Sequence, residues 1–174
     1  MHLLSTFLVV SGRLILMNKK GFTLIELLIV VAIIGILAAV GAAVIPGLLG
    51  NAKINASKAN HKNAVKFAQT QFLRCTQGEQ QVGYKVVNGT TTMASCSDGP
   101  VPVHRTGIYE HLNAEGFMNP YTNYFAGQSG TATSTPDLGY TSVFCETISG
   151  SSGKCIIKTQ WKKGEVLSSI VTKE

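Results

Sequence analysis

One feature constrains this chain more than any other: from Phe22 to Leu49, Glu26 is the only charged side chain. As a helix, this run would be about 42 Å long at about 1.5 Å per residue. A bilayer core needs roughly 20 apolar residues. The apolar core of a cleaved secretory signal is shorter, about 7–15 residues. The run therefore predicts a membrane-spanning helix whose end projects from the bilayer.

The flanking charge predicts the orientation of this helix. Lys19 and Lys20 precede the run, and basic residues favour the cytoplasmic side. Residues after Leu49 are then expected on the opposite side. Glu26 costs about 2.5–3.5 kcal/mol inside a membrane helix. Its carboxylate either reaches interfacial water or pairs with a positive group, such as an amine created by cutting the chain before Phe22.

Residues 19–26 read Lys-Lys-Gly-Phe-Thr-Leu-Ile-Glu and continue as an apolar run beyond Val40. This segment resembles the N-terminus of type IV pilins and the related pseudopilins. The resemblance implies that a prepilin peptidase cuts between Gly21 and Phe22 and that the new Phe22 amine is N-methylated. It also implies that Glu26 pairs with the Phe22 amine of a neighbouring subunit during assembly, so that both charges leave the membrane paired.

The leader comprises residues 1–21. A mature chain that begins with Phe usually has a very short leader in this family, so Met17 is the expected start and residues 1–16 a start-site artefact. The alternative is a genuine leader that begins at Met1. Within the helix, Pro46 is expected to cause a kink or local opening, because proline removes a backbone donor. Pilins often carry a proline about three residues earlier, so the kink position is expected to be shifted.

Residues 50–76 continue with helical spacing, and we predict that they form the amphipathic half of one long helix. Its expected apolar face contains Ile54, His61, Ala64, Val65, Ala68 and Phe72, with Phe67 off this face. His61 is interpreted as a packed neutral residue rather than a metal ligand. Lys58, Lys62 and Lys66 follow one another at i+4 on an adjacent face.

Three interpretations of these lysines stay open. They form a solvated face, pair with acidic groups on adjacent subunits, or bind DNA phosphates, which would be strongly salt-dependent. No aromatic residues alternate with them in the sequence, so the pattern typical of single-strand nucleic-acid binding is missing. DNA is therefore the least supported of these partners.

Residues 77–174 are predicted to form a globular, β-rich head. Val82–Val87 and Thr90–Met93 read as a hairpin with a two-residue Asn88-Gly89 turn. Gly127–Pro136 reads as a loop. Tyr140–Ile148, Lys154–Lys162 and Glu165–Val171 read as strands, with Cys155, Ile157 and Trp161 on one face of the second. We therefore expect an α+β fold, which the resemblance identifies with the type IV pilin fold: a long helix packed on a small antiparallel sheet.

All four cysteines lie beyond the apolar run, which favours disulfides in an oxidising compartment. Cys145 and Cys155 flank the last predicted hairpin symmetrically about Gly150, which leaves Cys75 and Cys96 to pair. The family resemblance also implies a disulfide-closed C-terminal region, although the loop between Cys145 and Cys155 is short for that role. A bridge from Cys75 or Cys96 to a C-terminal cysteine stays open.

The net charge of +6 first indicates a nucleic-acid partner. Arg13, Lys19 and Lys20 lie in the leader, however, which leaves twelve basic and nine acidic side chains, a net +3. No catalytic or phosphate-binding motif is present, and the grouping of His104, Glu110, His111 and Glu115 in a loop-like segment is weak for a metal. We expect no enzyme activity, cofactor or metal.

The expected function is therefore structural. The resemblance implies a pilus subunit that is stored in the inner membrane with its head in the periplasm and assembled by inner-membrane machinery with identical or related subunits. The extracellular filament would serve adhesion, motility or DNA uptake. A pseudopilin of type II secretion is the first alternative, because Met118-Asn119-Pro120-Tyr121 partly resembles a pseudopilin segment. A membrane-anchored binding protein that never polymerises is the second.

Overall fold

The computed structural model describes residues 21–100 and 103–174. The elements in chain order are α1 (Leu24–Thr76), β1 (Gln81–Lys85), β2 (Thr91–Ser95), α2 (Val103–Ala114), β3 (Gly127–Ser129), β4 (Thr141–Ser149), β5 (Ser152–Lys162) and β6 (Glu165–Lys173). The chain divides into two compact units, one up to Val44 and one from Ile45 to Glu174. The α+β class is confirmed. The start-site question and the leader charges lie outside the described residues.

The strands form two sheets. β1 pairs antiparallel with β2, and the second sheet has the order β3-β4-β5-β6. In the second sheet β3 runs parallel to β4, while the other neighbours are antiparallel. The sheet is therefore mixed rather than purely antiparallel. The expectation that Gly127–Pro136 is only a loop is wrong at its first three residues, because they add the edge strand β3.

The hairpin turn also differs from the prediction. Val86 N donates to Thr90 O at 2.9 Å and Gly89 N donates to Val86 O at 2.8 Å, so the loop contains residues 87–89. Gly89 has a φ of 84°, whereas Asn88 is not in the left-handed region. This is the three-residue loop in which a turn is followed by a left-handed glycine. The Asn88 side chain accepts a hydrogen bond from Thr90 N at 3.0 Å.

The C-terminal part of α1 packs one face into the core of the head. Its buried residues are Ser57, Asn60, His61, Ala64, Ala68, Gln71 and Phe72. The expected apolar face is thus right at its centre but contains more polar groups than predicted. Phe67, which the spacing places off this face, stacks on His111 with 3.7 Å between ring centroids and contacts Tyr84 edge-on at 5.7 Å.

His61 lies on the face of α1 that packs against the sheet, and its side chain is buried, as predicted. Its Nδ1 lies 3.0 Å from Thr159 Oγ1, and its Nε2 lies 2.9 Å from Ser169 Oγ. Burial lowers the pKa of His61, which favours the neutral ring. Both ring nitrogens are occupied by hydroxyl partners, and His61 therefore acts as a polar link between α1, β5 and β6.

The segment that contains His104 and His111 is the helix α2 and not a loop. His104, Ile108 and Leu112 are buried at a spacing of four residues. Gly107 allows α2 to approach the hairpin, because a Cβ at this position would lie 2.4 Å from the Tyr84 ring. The hydroxyl of Tyr84 is hydrogen-bonded to His104 Nδ1.

Two disulfides close the head. The hairpin disulfide joins Cys75 at the end of α1 to Cys96 after β2. The sheet disulfide joins Cys145 and Cys155, which face each other in the β4–β5 register. This is the first of the connectivities considered from the sequence, and both sulfur pairs belong to the core or pack against it.

The end of β6 is tied to the hairpin disulfide through a buried lysine. Lys173 is 2% exposed, and its ammonium donates to Cys96 O at 2.9 Å and to Asp98 O. Burial lowers the pKa of Lys173. Backbone carbonyls replace the water that a lysine normally keeps, so the last strand is fixed to the loop that follows β2.

Candidate processing and assembly site

The segment around the expected cleavage position is open to solvent in the structure. Gly21, Phe22 and Thr23 precede α1 and are all exposed, with Phe22 90% exposed. A Cβ at Gly21 would have nothing within 4 Å. The described chain therefore leaves the Gly21–Phe22 peptide bond uncovered, and Gly21 places no side chain beside it.

Thr23 and Glu26 form a capping box at the start of α1. Glu26 N donates to Thr23 Oγ1 at 3.3 Å, and in return Thr23 N donates to Glu26 Oε2 at 2.7 Å. The Thr23 hydroxyl also donates to Glu26 Oε2, at 2.8 Å. Two backbone donors of the helix end are satisfied reciprocally, as the Thr-x-x-Glu pattern allows.

Sequence reasoning named Glu26 and missed Thr23. The Thr-x-x-Glu spacing is itself the signal that would have found this contact. The capping box holds the Glu26 carboxylate at the Thr23 nitrogen. This nitrogen is one residue away from the Phe22 nitrogen along the chain. The carboxylate therefore presents its negative charge next to the position where cleavage would create a positive one.

The helix that follows is apolar on every side. In the described part before Val44, all residues are exposed except Gly41, which is half-buried. The large apolar side chains from Leu24 to Leu49 are each at least 50% exposed. A helix that is apolar all round is stable only when lipid or other protein covers it. Among the described residues, α1 is the one helix long and apolar enough to cross a membrane.

Pro46 lies inside α1, two residues after the boundary between the units. The helix assignment continues through this proline without interruption. The kink expected at this proline therefore remains a prediction. Gly47 and Gly50 follow within one turn, and a Cβ at either would meet nothing within 4 Å.

The lysines of α1 do not form one uniform face. Lys62 and Lys66 are exposed, but Lys58 is half-buried and its Nζ lies 3.7 Å from the centre of the Trp161 ring. Lys53 lies 5.6 Å from the Tyr121 ring. The fold thus brings aromatic rings close to Lys53 and Lys58, although no aromatic residues alternate with the lysines in the sequence.

The weak metal hypothesis receives no support from the geometry. His104 is bonded to Tyr84 inside the core, whereas Glu115 forms an ion pair with Lys85 at 2.8 Å and His111 stacks on Phe67. Residues 21–100 and 103–174 contain no group of three or more His, Cys, Asp or Glu side chains that could hold a metal ion.

Comparison with known proteins identifies the N-terminal segment. Residues 16–42 match the family described as the prokaryotic N-terminal methylation motif, which is the class III signal of type IV pilins and pseudopilins. No curated protein and no solved structure matches the chain. The resemblance noted in the sequence is thus confirmed for the motif and the apolar helix.

Proposed function

We propose that this chain is the precursor of a structural subunit of a type IV pilus. The observation that carries the proposal is the methylation motif at residues 16–42, followed by an apolar helix with no covering partner in the described chain. A prepilin peptidase would cut between Gly21 and Phe22, and the Phe22 amine would then be N-methylated.

Assembly follows from the need to cover two things, the apolar surface of α1 and the charge of Glu26. Lipid covers the helix before assembly, and the helices of neighbouring subunits cover it in the filament core. Small residues from Gly35 to Ala43 would permit close helix approach there. The carboxylate held by Thr23 would pair with the Phe22 amine of a neighbour, which removes a cost of about 2.5–3.5 kcal/mol for a lone charge.

The head is proposed to lie in the periplasm before assembly and on the filament surface afterwards. Two disulfides in a head of this size support an oxidising compartment. Inner-membrane assembly machinery would extract the subunit, and the filament would serve adhesion, motility or DNA uptake. The role of the chain is structural rather than catalytic.

The charge of Glu26 can be tested apart from its capping role. Gln retains the side-chain oxygen that a capping box needs, so Glu26→Gln removes the charge alone. We expect processed subunits in the membrane but no sheared filaments by electron microscopy. Thr23→Val is the matched control, since it removes the hydroxyl and keeps the carboxylate. Normal filaments from Glu26→Gln would contradict the assembly role.

The pseudopilin alternative has one observation in its favour, the Met118-Asn119-Pro120-Tyr121 segment. Asn119 is buried, donates to Leu138 O at 2.9 Å and accepts from Tyr121 N at 2.8 Å. The segment therefore has a structural role that either class could use. Deletion of the gene distinguishes the two: loss of surface fibres supports the pilin, and loss of protein secretion with fibres intact supports the pseudopilin.

A further inference from the structure

Lysines and aromatic rings converge on one surface of the head. We define the lysine–aromatic surface as Lys53, Lys58, Tyr121, Trp161 and Lys162. Lys58 Nζ lies over the Trp161 ring at 3.7 Å, and Lys162 Nζ lies 6.0 Å from the same ring. Tyr121 donates its hydroxyl to Trp161 O at 2.8 Å. α1, β5 and the chain between α2 and β3 all contribute to the surface.

The surface is held together by internal contacts. Asn60 on α1 donates to Met118 O at 3.1 Å, which fixes the Tyr121 segment against the helix. In the same segment, Tyr124 is 71% exposed and Phe125 is 43% exposed. Two further aromatic rings of the segment that carries Tyr121 are therefore left uncovered by the described chain.

The same unit begins with an apolar part of α1. Ile45, Leu48 and Leu49 are 53%, 62% and 57% exposed. Lys53 follows Leu49 by four residues, or about 6 Å along the helix axis. The polar headgroup layer of a bilayer is about 5–8 Å thick on each side. When Leu49 reaches the hydrocarbon, Lys53 and the Tyr121 ring beside it therefore lie at headgroup depth. Lys58, which covers the Trp161 ring, follows Leu49 by nine residues, or about 13.5 Å along the axis, so Trp161 reaches the headgroups when the head tilts toward the bilayer.

The chemistry of the surface matches a lipid headgroup layer. Tyr and Trp are enriched at membrane interfaces, where the ring lies near the hydrocarbon and the polar atom reaches water. Lysines next to a membrane attract anionic phospholipids. Within residues 21–100 and 103–174, the one acidic group bonded to the surface is Glu165, which pairs with Lys162 at 2.7 Å, so the surface keeps a positive charge.

We propose that, before assembly, the head docks through the lysine–aromatic surface onto anionic phospholipids of the bilayer that holds α1. The proposal rests on the proposed membrane anchoring. A nucleic acid is the less favoured partner, because Lys58 already covers the Trp161 ring on which a base would stack. Docking restricts the orientation of the head, and extraction into a filament has to release it.

Trp161 is the only tryptophan in the sequence, so it reports on its own surface. The full chain is reconstituted into vesicles of phosphatidylethanolamine and phosphatidylglycerol, and separately into phosphatidylcholine vesicles, each with a nitroxide-labelled headgroup. We expect a loss of Trp161 emission that is several-fold larger in the anionic vesicles and that decreases with added salt. Flotation of the vesicles measures membrane insertion independently.

A matched pair of double variants tests the contribution of the lysines. Lys53→Gln with Lys162→Gln removes two exposed charges from the surface, and Lys62→Gln with Lys66→Gln removes two exposed charges elsewhere on α1. We expect quenching in anionic vesicles to fall in the first variant and to persist in the second.

Four results would overturn the proposal. One is equal quenching in the two double variants. Another is a floating protein whose Trp161 is not quenched, which would leave the membrane anchoring intact. The third is a Trp161 response to a single-stranded oligonucleotide without any response to labelled lipid. Failure to float would overturn the anchoring and the docking together.

Discussion

Acidification from pH 7 to pH 5 is expected to destabilise the head through His104. This side chain is fully buried. Its Nδ1 is bonded to the Tyr84 hydroxyl, and Phe72 contacts the ring edge-on at 5.5 Å between centroids. The pKa of His104 is lowered from 6.5 to about 4; burial is the largest cause and the nearby Lys173 ammonium acts in the same direction, whereas Ser95 O and Asp98 act in the opposite direction.

The sign follows from proton linkage. The unfolded chain binds a proton at His104 below about pH 6.5, but the folded chain does so only near pH 4, so stability falls as the pH falls between these values. From these two pKa values, the loss is about 2 kcal/mol between pH 7 and pH 5 and approaches about 3 kcal/mol at lower pH. A typical domain has only about 5–15 kcal/mol of stability.

The assay is urea denaturation of the full chain in a mild nonionic detergent at pH 7, 6 and 5, with near-ultraviolet circular dichroism as the signal. His104→Asn keeps a polar atom at the position of Nδ1 and cannot titrate. It should lower stability at pH 7 and lose most of the pH dependence. His111→Asn on the same helix is the control. Burial also lowers the pKa of the half-buried His111, so this variant should lose part of the pH dependence of stability, but less of it than His104→Asn. Equal pH dependence in the wild type and His104→Asn would refute the reasoning.

Three further predictions concern the head and use the same denaturation assay. Gly107→Ala gains about 1 kcal/mol of helix propensity, but its Cβ would lie 2.4 Å from the Tyr84 ring. Overpacking costs about 1–3 kcal/mol, so we expect a net loss of stability and a gain would contradict the packing. Removal of the hairpin disulfide, which has a sequence separation of 21, should cost about 3.3 kcal/mol of stability by loop-closure entropy. Removal of the sheet disulfide, which has a separation of 10, should cost about 2.7 kcal/mol. The reverse order of the two costs would show that strain or contacts outweigh loop length. Phe72→Ala should cost about 3–5 kcal/mol because the side chain is 2% exposed, and a cost below 1 kcal/mol would place Phe72 outside the core.

The strands of the larger sheet were predictable because their pattern is local. β5 alternates buried and partly exposed residues from Gly153 to Gln160, and this period of two is visible in the sequence. Cys145 and Cys155 sit opposite each other because the turn between them is short. Strand order was not predictable, since nothing local indicates that residues 127–129 pair in parallel with β4.

α2 shows where sequence reasoning failed. The segment contains Gly107, β-branched residues and two histidines, which have weak helix propensity. It is helical because His104, Ile108 and Leu112 bury one face against the hairpin and the sheet. Their spacing of four residues was present in the sequence, but the polar character of His104 concealed it.

Polar groups also explain the incomplete prediction of the α1 face. Ser57, Asn60 and Gln71 are buried beside the apolar residues. Ser57 donates to Lys53 O at 3.1 Å and Asn60 to Met118 O at 3.1 Å, and these bonds offset the cost of burial. The partner of Asn60 is 58 residues away in sequence, so hydrophobic periodicity alone cannot identify it. The lysine–aromatic surface depends on the same kind of distant contact.

The central claim is that this chain is processed before Phe22 and assembled from a methylated subunit. Mass spectrometry of fibres sheared from cells that express the chain tests it most directly. We predict a mature protein that begins at Phe22, carries one methyl group on its amine and contains two disulfides. Fibres that lack this protein, together with a membrane-bound chain that keeps Gly21, would contradict the account.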